Sequence, residues 1–169
     1  MDAAARESTG DWIVHELTAR GWSIAVAESL TGGMLVAELI RTPGASAVVN
    51  GGIVAYSTEL KHSLLGVNSG LLAAHGPVHA DVAAQMAAGV RDRMAVAGVP
   101  ATVGISTTGV AGPDPQDGVP VGTVFLGFAL GSDVRAVGVQ LTGSREEIRL
   151  AAVSESLAQL KSLIEGDGR

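Results

Sequence analysis

A chain of 169 residues with a formal charge of -6 at neutral pH and no cysteine is sized for one domain. It excludes a disulfide framework and thiolate chemistry, and it lacks the overall basic surface that a nucleic-acid backbone requires. Hydrophobic residues make up 47% of the chain and aromatics only 3%, so the core has to be built from Ala, Val, Leu and Ile, which pack helices closely on a sheet.

The apolar residues Ile13, Val14 and Leu17 recur at helical spacing over 11–20, and Gly21 supplies a stop. A short β-favouring run at 23–27 meets Glu28-Ser29-Leu30-Thr31-Gly32-Gly33, after which helical spacing resumes over 34–40 until Pro43-Gly44. This predicts a strand, a glycine turn and a helix. A second strand is predicted over 48–56 across Gly51-Gly52, then a short helix through Leu60, Leu64 and Leu65. The alanine-rich stretch 80–97 reads as a long helix that Gly98-Val99-Pro100 ends. A third strand over 101–107 runs into the loop Gly109-Val110-Ala111-Gly112-Pro113-Asp114-Pro115, and 121–130 with 134–141 form a hairpin about Gly131-Ser132-Asp133. Ser144 with Glu147 has the spacing of a capping box that opens a last helix to about residue 164. The order α-β-α-β-α-α-β-β-β-α predicts a single domain over 1–169. Its fold class is α/β, a three-layer α/β/α sandwich on a mixed, mostly parallel sheet of about five strands.

No apolar run reaches membrane-spanning length, and the start, Met1 to Glu7, lacks the charged-then-apolar order of a secretory leader. A cytoplasmic protein without membrane contact is therefore expected, and the alanine-rich helices suggest self-association into a homo-oligomer.

In open α/β sheets, ligands bind beyond the carboxyl ends of the strands. Ser29 leaves its strand just before two glycines and a helix start, where the amides around Thr31, Gly32 and Gly33 and the helix dipole favour a phosphate or an oxyanion. The alternative is that Ser29 and Thr31 merely cap the helix. Histidines 15, 62, 75 and 79 offer no convincing base or metal set, because Gly76-Pro77 breaks the helical geometry between His75 and His79. Neither a metal nor a cofactor is expected. Of the two lysines, Lys161 falls near the end of the last helix, as a solvated cation would, whereas Lys61 follows a strand end. Desolvated there, its amine would take a proton from Ser29; the competing reading is an exposed helix lysine. Tyr56, the only tyrosine, is placed to orient Lys61 or meet substrate, or simply to pack. Ser106 and Thr108 precede the loop whose Gly109 and Gly112 supply turning amides. Arg145 opposes the dipole of the last helix and so calls for an anionic partner, with Arg149 one turn on along the same face.

Ala27-Glu28-Ser29-Leu30-Thr31-Gly32-Gly33, Gly52-Ile53-Val54-Ala55-Tyr56-Ser57 with Lys61 and Leu65-Gly66-Val67, Thr108-Gly109-Val110-Ala111-Gly112-Pro113 and Pro120-Val121-Gly122-Thr123-Val124 closely resemble the CinA C-terminal domain family, in its order and over residues 10 to 164. The resemblance implies an α/β/α sandwich and, for active members, deamidation of nicotinamide mononucleotide to nicotinate mononucleotide and ammonia. It implies Ser29 as nucleophile, Lys61 as base, Tyr56 and Ser46 as assistants and Arg145 as a substrate contact. Thr142-Gly143-Ser144-Arg145 departs from the family's commoner Ser-Gly-Asp-Arg, and Pro115-Gln116-Asp117 replaces a more glycine-rich stretch. Larger relatives carry an additional N-terminal domain, so the chain looks like the stand-alone form. The readings that compete with it are the same machinery acting on another small amide, a catalytically silent nucleotide-binding module, and a nucleic-acid-associated role.

Overall fold

The computed structural model describes residues 7–167; the leader reading at 1–6 lies outside them. Helix α1 (Thr9–Arg20) opens on a capping box in which the Ser8 hydroxyl accepts from the Asp11 amide and Asp11 accepts from the Ser8 amide, and Gly21 closes it. Its buried stripe contains Ile13, Val14 and Leu17, as the spacing predicts. Strand β1 (Ile24–Glu28) is buried along its whole length, as a central strand covered on both faces must be. It delivers Ser29 to the turn before α2 (Met34–Ile40). The turn needs Gly33, whose φ of 100° lies in the left-handed region.

Strand β2 (Val49–Val54) is followed by α3 (Thr58–Ser63), α4 (Ser69–His75) and α5 (Ala80–Arg93). Three helices stand where the sequence predicts two. The unpredicted one, α4, is started by Asn68, whose side chain accepts from the Leu71 amide. Helix α5 ends four residues before the predicted 97, because Val96 and Val99 exchange backbone hydrogen bonds across Ala97 and Gly98, both at positive φ. Strand β2 stops at Val54, which leaves Tyr56 beyond it. Strands β3 (Val103–Gly109), β4 (Thr123–Leu130) and β5 (Asp133–Gln140) precede α6 (Arg145–Gly166), which the predicted Ser144–Glu147 capping box opens.

The sheet order is β2-β1-β3-β4-β5. Both pairings of β1 are parallel and both pairings of β4 are antiparallel, so only β4 runs against the rest. Leu35 and Leu39 of α2 and Ile148, Leu157 and Leu160 of α6 pack with Ile13 and Leu17 on one face. Val82, Met86 and Val90 of α5 pack on the other against Ala25 and Ala27. Each such side chain, fully buried, is worth roughly 1.5–3 kcal/mol. The result is a mixed sheet between two helical layers. The carboxyl ends of β1, β2 and β3 meet at one edge, where three successive turns emerge.

Candidate active site

Strand β1 runs directly into Ser29, whose amide continues the bonding to β3 by donating to the Thr107 carbonyl at 3.1 Å. Helix α3 starts just past the end of β2, so its one buried residue, Lys61, reaches back under the turn. Lys61 is 1% exposed and Ser29 8%. Lys61 Nζ lies 3.0 Å from Ser29 Oγ and 2.7 Å from the Ala55 carbonyl oxygen, to which it donates. The nucleophile and base expected from sequence are thus within direct hydrogen-bond reach.

No carboxylate among the described residues pairs with Lys61. Its only partners among the described residues are two neutral oxygens, and an ammonium taken out of water to that place is poorly compensated. Burial lowers the Lys61 pKa from 10.5 to about 8. At neutral pH about a tenth of the molecules therefore hold a free amine lone pair beside Ser29. In that form the serine hydroxyl donates to Nζ while Nζ still donates to Ala55.

Ser29 and Lys61 open into a cavity of about 150 Å³; cavities of that order accept a benzene-sized ring. Its rim carries Tyr56, Thr108, Gly109, Gly112 and Arg145 from the predicted set. Arg145 ties the rim together: Nη1 donates to the Gly112 carbonyl at 2.6 Å and Nη2 to the Tyr56 hydroxyl at 3.1 Å. Tyr56 is 61% exposed and bonds Arg145, so it orients the arginine and not Lys61. Thr108 donates to the Pro77 carbonyl at 2.7 Å, which fixes the far wall. Thr58, Asp114 and Gln116 also line the cavity; no spacing signal marks them, since Thr58 opens α3 and the other two sit in the loop after β3, and only the fold brings them to one edge.

Other expected residues stand elsewhere. Ser46 is exposed in a single 3-10 turn before β2, at the opposite end of that strand from Tyr56. Six residues of strand separate the two ends, about 20 Å, so Ser46 cannot assist Ser29 within this chain. Ser106 is two residues nearer the strand start than Thr108, and its hydroxyl donates to Ala83 of α5 at 2.6 Å. Arg149 donates to the carbonyls of Leu30 and Thr31 at 2.8 and 3.3 Å; it braces the turn and does not line the cavity. The Thr31 hydroxyl is buried on that of Thr107 at 2.8 Å.

The amides at Gly32 and Gly33 are also engaged within the protein, the latter through a residue to which sequence reasoning gave no role. Glu28 is fully buried, and its carboxylate accepts from the amides of Gly33, Leu35 and Val36 at 3.0, 3.0 and 2.9 Å. The N-terminus of α2 already holds its anion. The signal was legible: Glu28 is the single charge in an apolar strand run, just ahead of a helix start. His75 and His79 stack with ring centroids 4.7 Å apart, and His79 caps α5.

A three-layer α/β/α domain that buries a serine against a desolvated lysine at the carboxyl edge of its sheet is the class that fold and site define. Residues 6–164 match the model of the CinA C-terminal domain. A CinA-like protein of Frankia casuarinae is 49% identical over 96% of the chain, and a putative competence-damage inducible protein of Geobacillus kaustophilus 42% over 91%; the chain spans 36% of each. The crystal structure of competence/damage inducible protein CihA from Agrobacterium tumefaciens superposes with a TM-score of 0.85 at 34% identity, covering 93% of this chain and 94% of that one. The CinA superfamily protein of Escherichia coli superposes at 0.86 with 30% identity, covering 96% and 92%. The chain belongs to the CinA C-terminal domain family.

Proposed function

We propose that this domain is an amidohydrolase that converts nicotinamide mononucleotide to nicotinate mononucleotide and ammonia. The observation that carries the reading is the 3.0 Å contact between Ser29 Oγ and Lys61 Nζ in a buried corner, open to a cavity of ring size. Neutral Lys61 takes the Ser29 proton as Oγ attacks the carboxamide carbon. The tetrahedral intermediate collapses with cleavage of the C–N bond, and protonated Lys61 gives its proton to the departing nitrogen, which leaves as ammonia. Water then attacks the acyl ester, Lys61 takes one of the water's protons and returns it to Ser29 Oγ, and the product departs as its carboxylate with the second proton released to solvent.

The cavity is too small for a whole nucleotide, so the ribose phosphate extends over the rim. There Arg145 retains N–H groups beyond the two it spends on Gly112 and Tyr56, available to a phosphate. Ammonia release from nicotinamide mononucleotide by the purified protein tests the reading. Release abolished in Ser29→Ala supports it; no release by the wild type, or undiminished release by the variant, defeats it.

A further inference from the structure

Attack by Ser29 puts negative charge on the former carbonyl oxygen, which donors already in place must meet. Few backbone amides near Ser29 are free to do so. Ser29 N donates to Thr107 O at 3.1 Å, Gly32 N to Ser29 O at 3.1 Å and Met34 N to Thr31 O at 3.1 Å. Gly33 N is bound by Glu28. Across the cavity, Val110 N donates to Thr123 O at 3.0 Å. The amides of Leu30, Thr31, Ala111 and Gly112 have no acceptor among the described residues; Thr31 does not line the cavity and Gly112 sits at its Arg145 rim, which leaves Leu30 and Ala111. Both residues line the cavity while their side chains lie in the hydrophobic cluster on the α2 and α6 face, so what they turn to the cavity is main chain.

The directions agree. In a trans peptide the N–H points opposite to the C=O. The Ser29 carbonyl is held by Gly32, which sends the Leu30 N–H away from the α2 turn. The Val110 carbonyl accepts from Gly122 at 2.8 Å, on the β4 side; the Ala111 N–H therefore faces the other flank of β3, where β1 and Ser29 lie. We propose that the N–H groups of Leu30 and Ala111 form the oxyanion hole, on the two sides of the attacked carbon. The assignment rests on Ser29 being the nucleophile of the proposed reaction. It also gives the two α6 arginines a shared purpose. Arg149 holds the Leu30 carbonyl at 2.8 Å and Arg145 the Gly112 carbonyl at 2.6 Å, so one helix face fixes both donor segments as positioning residues.

The test replaces Leu30 by leucic acid or Ala111 by lactic acid in the full chain, exchanging one N–H for an ester oxygen with the side chain kept. Acetylation of Ser29 by 4-nitrophenyl acetate, followed by mass spectrometry, is the readout: the Oγ–C bond forms, the bond to 4-nitrophenolate breaks and the serine proton passes to Lys61. Each ester is expected to slow acetylation about 100-fold or more. Rates within about threefold of wild type, far short of the loss that removing one oxyanion donor brings, overturn the assignment. Where an ester variant does not fold, Arg149→Ala stands in; acetylation slowed with an unmoved pH midpoint supports the assignment, and an unchanged rate overturns it. A wild type that is never acetylated removes Ser29 as nucleophile and the hole with it, whereas a reactive wild type with equally reactive ester variants removes the hole alone.

Discussion

Glu28 and Lys61 carry opposite charges into the same end of the sheet and meet opposite fates. Glu28 is given three amide donors at the start of α2, so its charge is satisfied and its work is to hold the turn. Lys61 is given only two neutral oxygens, so its charge is not satisfied and the free amine is brought within reach of physiological pH. A buried ion with a full set of partners is architecture, and one short of partners is chemistry.

The largest effect expected from breaking this contrast is on catalysis. Ser29→Ala should lower amide hydrolysis by about 10⁴-fold or more with a folded chain retained, read by ammonia release and thermal unfolding together. Lys61→Met should lose about 10³-fold in kcat. That variant also has a stability signature. The folded-state pKa of Lys61 lies below its unfolded value, so below about pH 8 the amine is charged in both states and the native state bears the burial penalty. Between about 8 and 10.5 the unfolded chain binds more protons, and wild-type stability rises with pH. From about pH 7 to about pH 9.5 the wild type should gain about 2 kcal/mol on Lys61→Met in denaturant unfolding; a gap that stays flat contradicts the desolvated amine.

On the other side of the comparison, Glu28→Gln turns one accepting oxygen into a donor facing backbone N–H groups. It should cost about 2–3 kcal/mol of stability, seen as a lower denaturant midpoint, with a smaller loss of kcat than Lys61→Met. The reverse order would mean that Glu28 takes part in the reaction. Arg145→Ala releases Gly112 and Tyr56 together and should raise KM for the nucleotide about tenfold, the worth of one charge-assisted contact, with kcat less affected.

Much of this was readable before the fold. Helical spacing placed α1, the Ser144–Glu147 box placed α6, and the strand–turn–helix around Ser29 located the nucleophile, because these signals are local. Lys61 was singled out by scarcity and by its place after a strand. Whether it is buried depends on how α3 folds under β2, which no local spacing encodes. Ser46 was misplaced because the resemblance carried a role over to it, whereas the topology sets it at the opposite end of β2. Thr31, Gly32 and Gly33 fit an anion site by pattern, but the Glu28 carboxylate takes the Gly33 amide and the Ser29 carbonyl takes that of Gly32. Ser106 and Thr108 share a face of β3, and two residues of strand length decide which of them reaches the cavity and which bonds α5.

The central claim is that burial brings the free amine of Lys61 within reach of neutral pH beside Ser29. With only two lysines in the chain, labelling lysine with ¹⁵N at Nζ gives two side-chain signals, and the one lost in Lys61→Met is assigned to Lys61. Its pH titration should have a midpoint near 8; a midpoint at the ordinary 10.5 would leave Ser29 without its base.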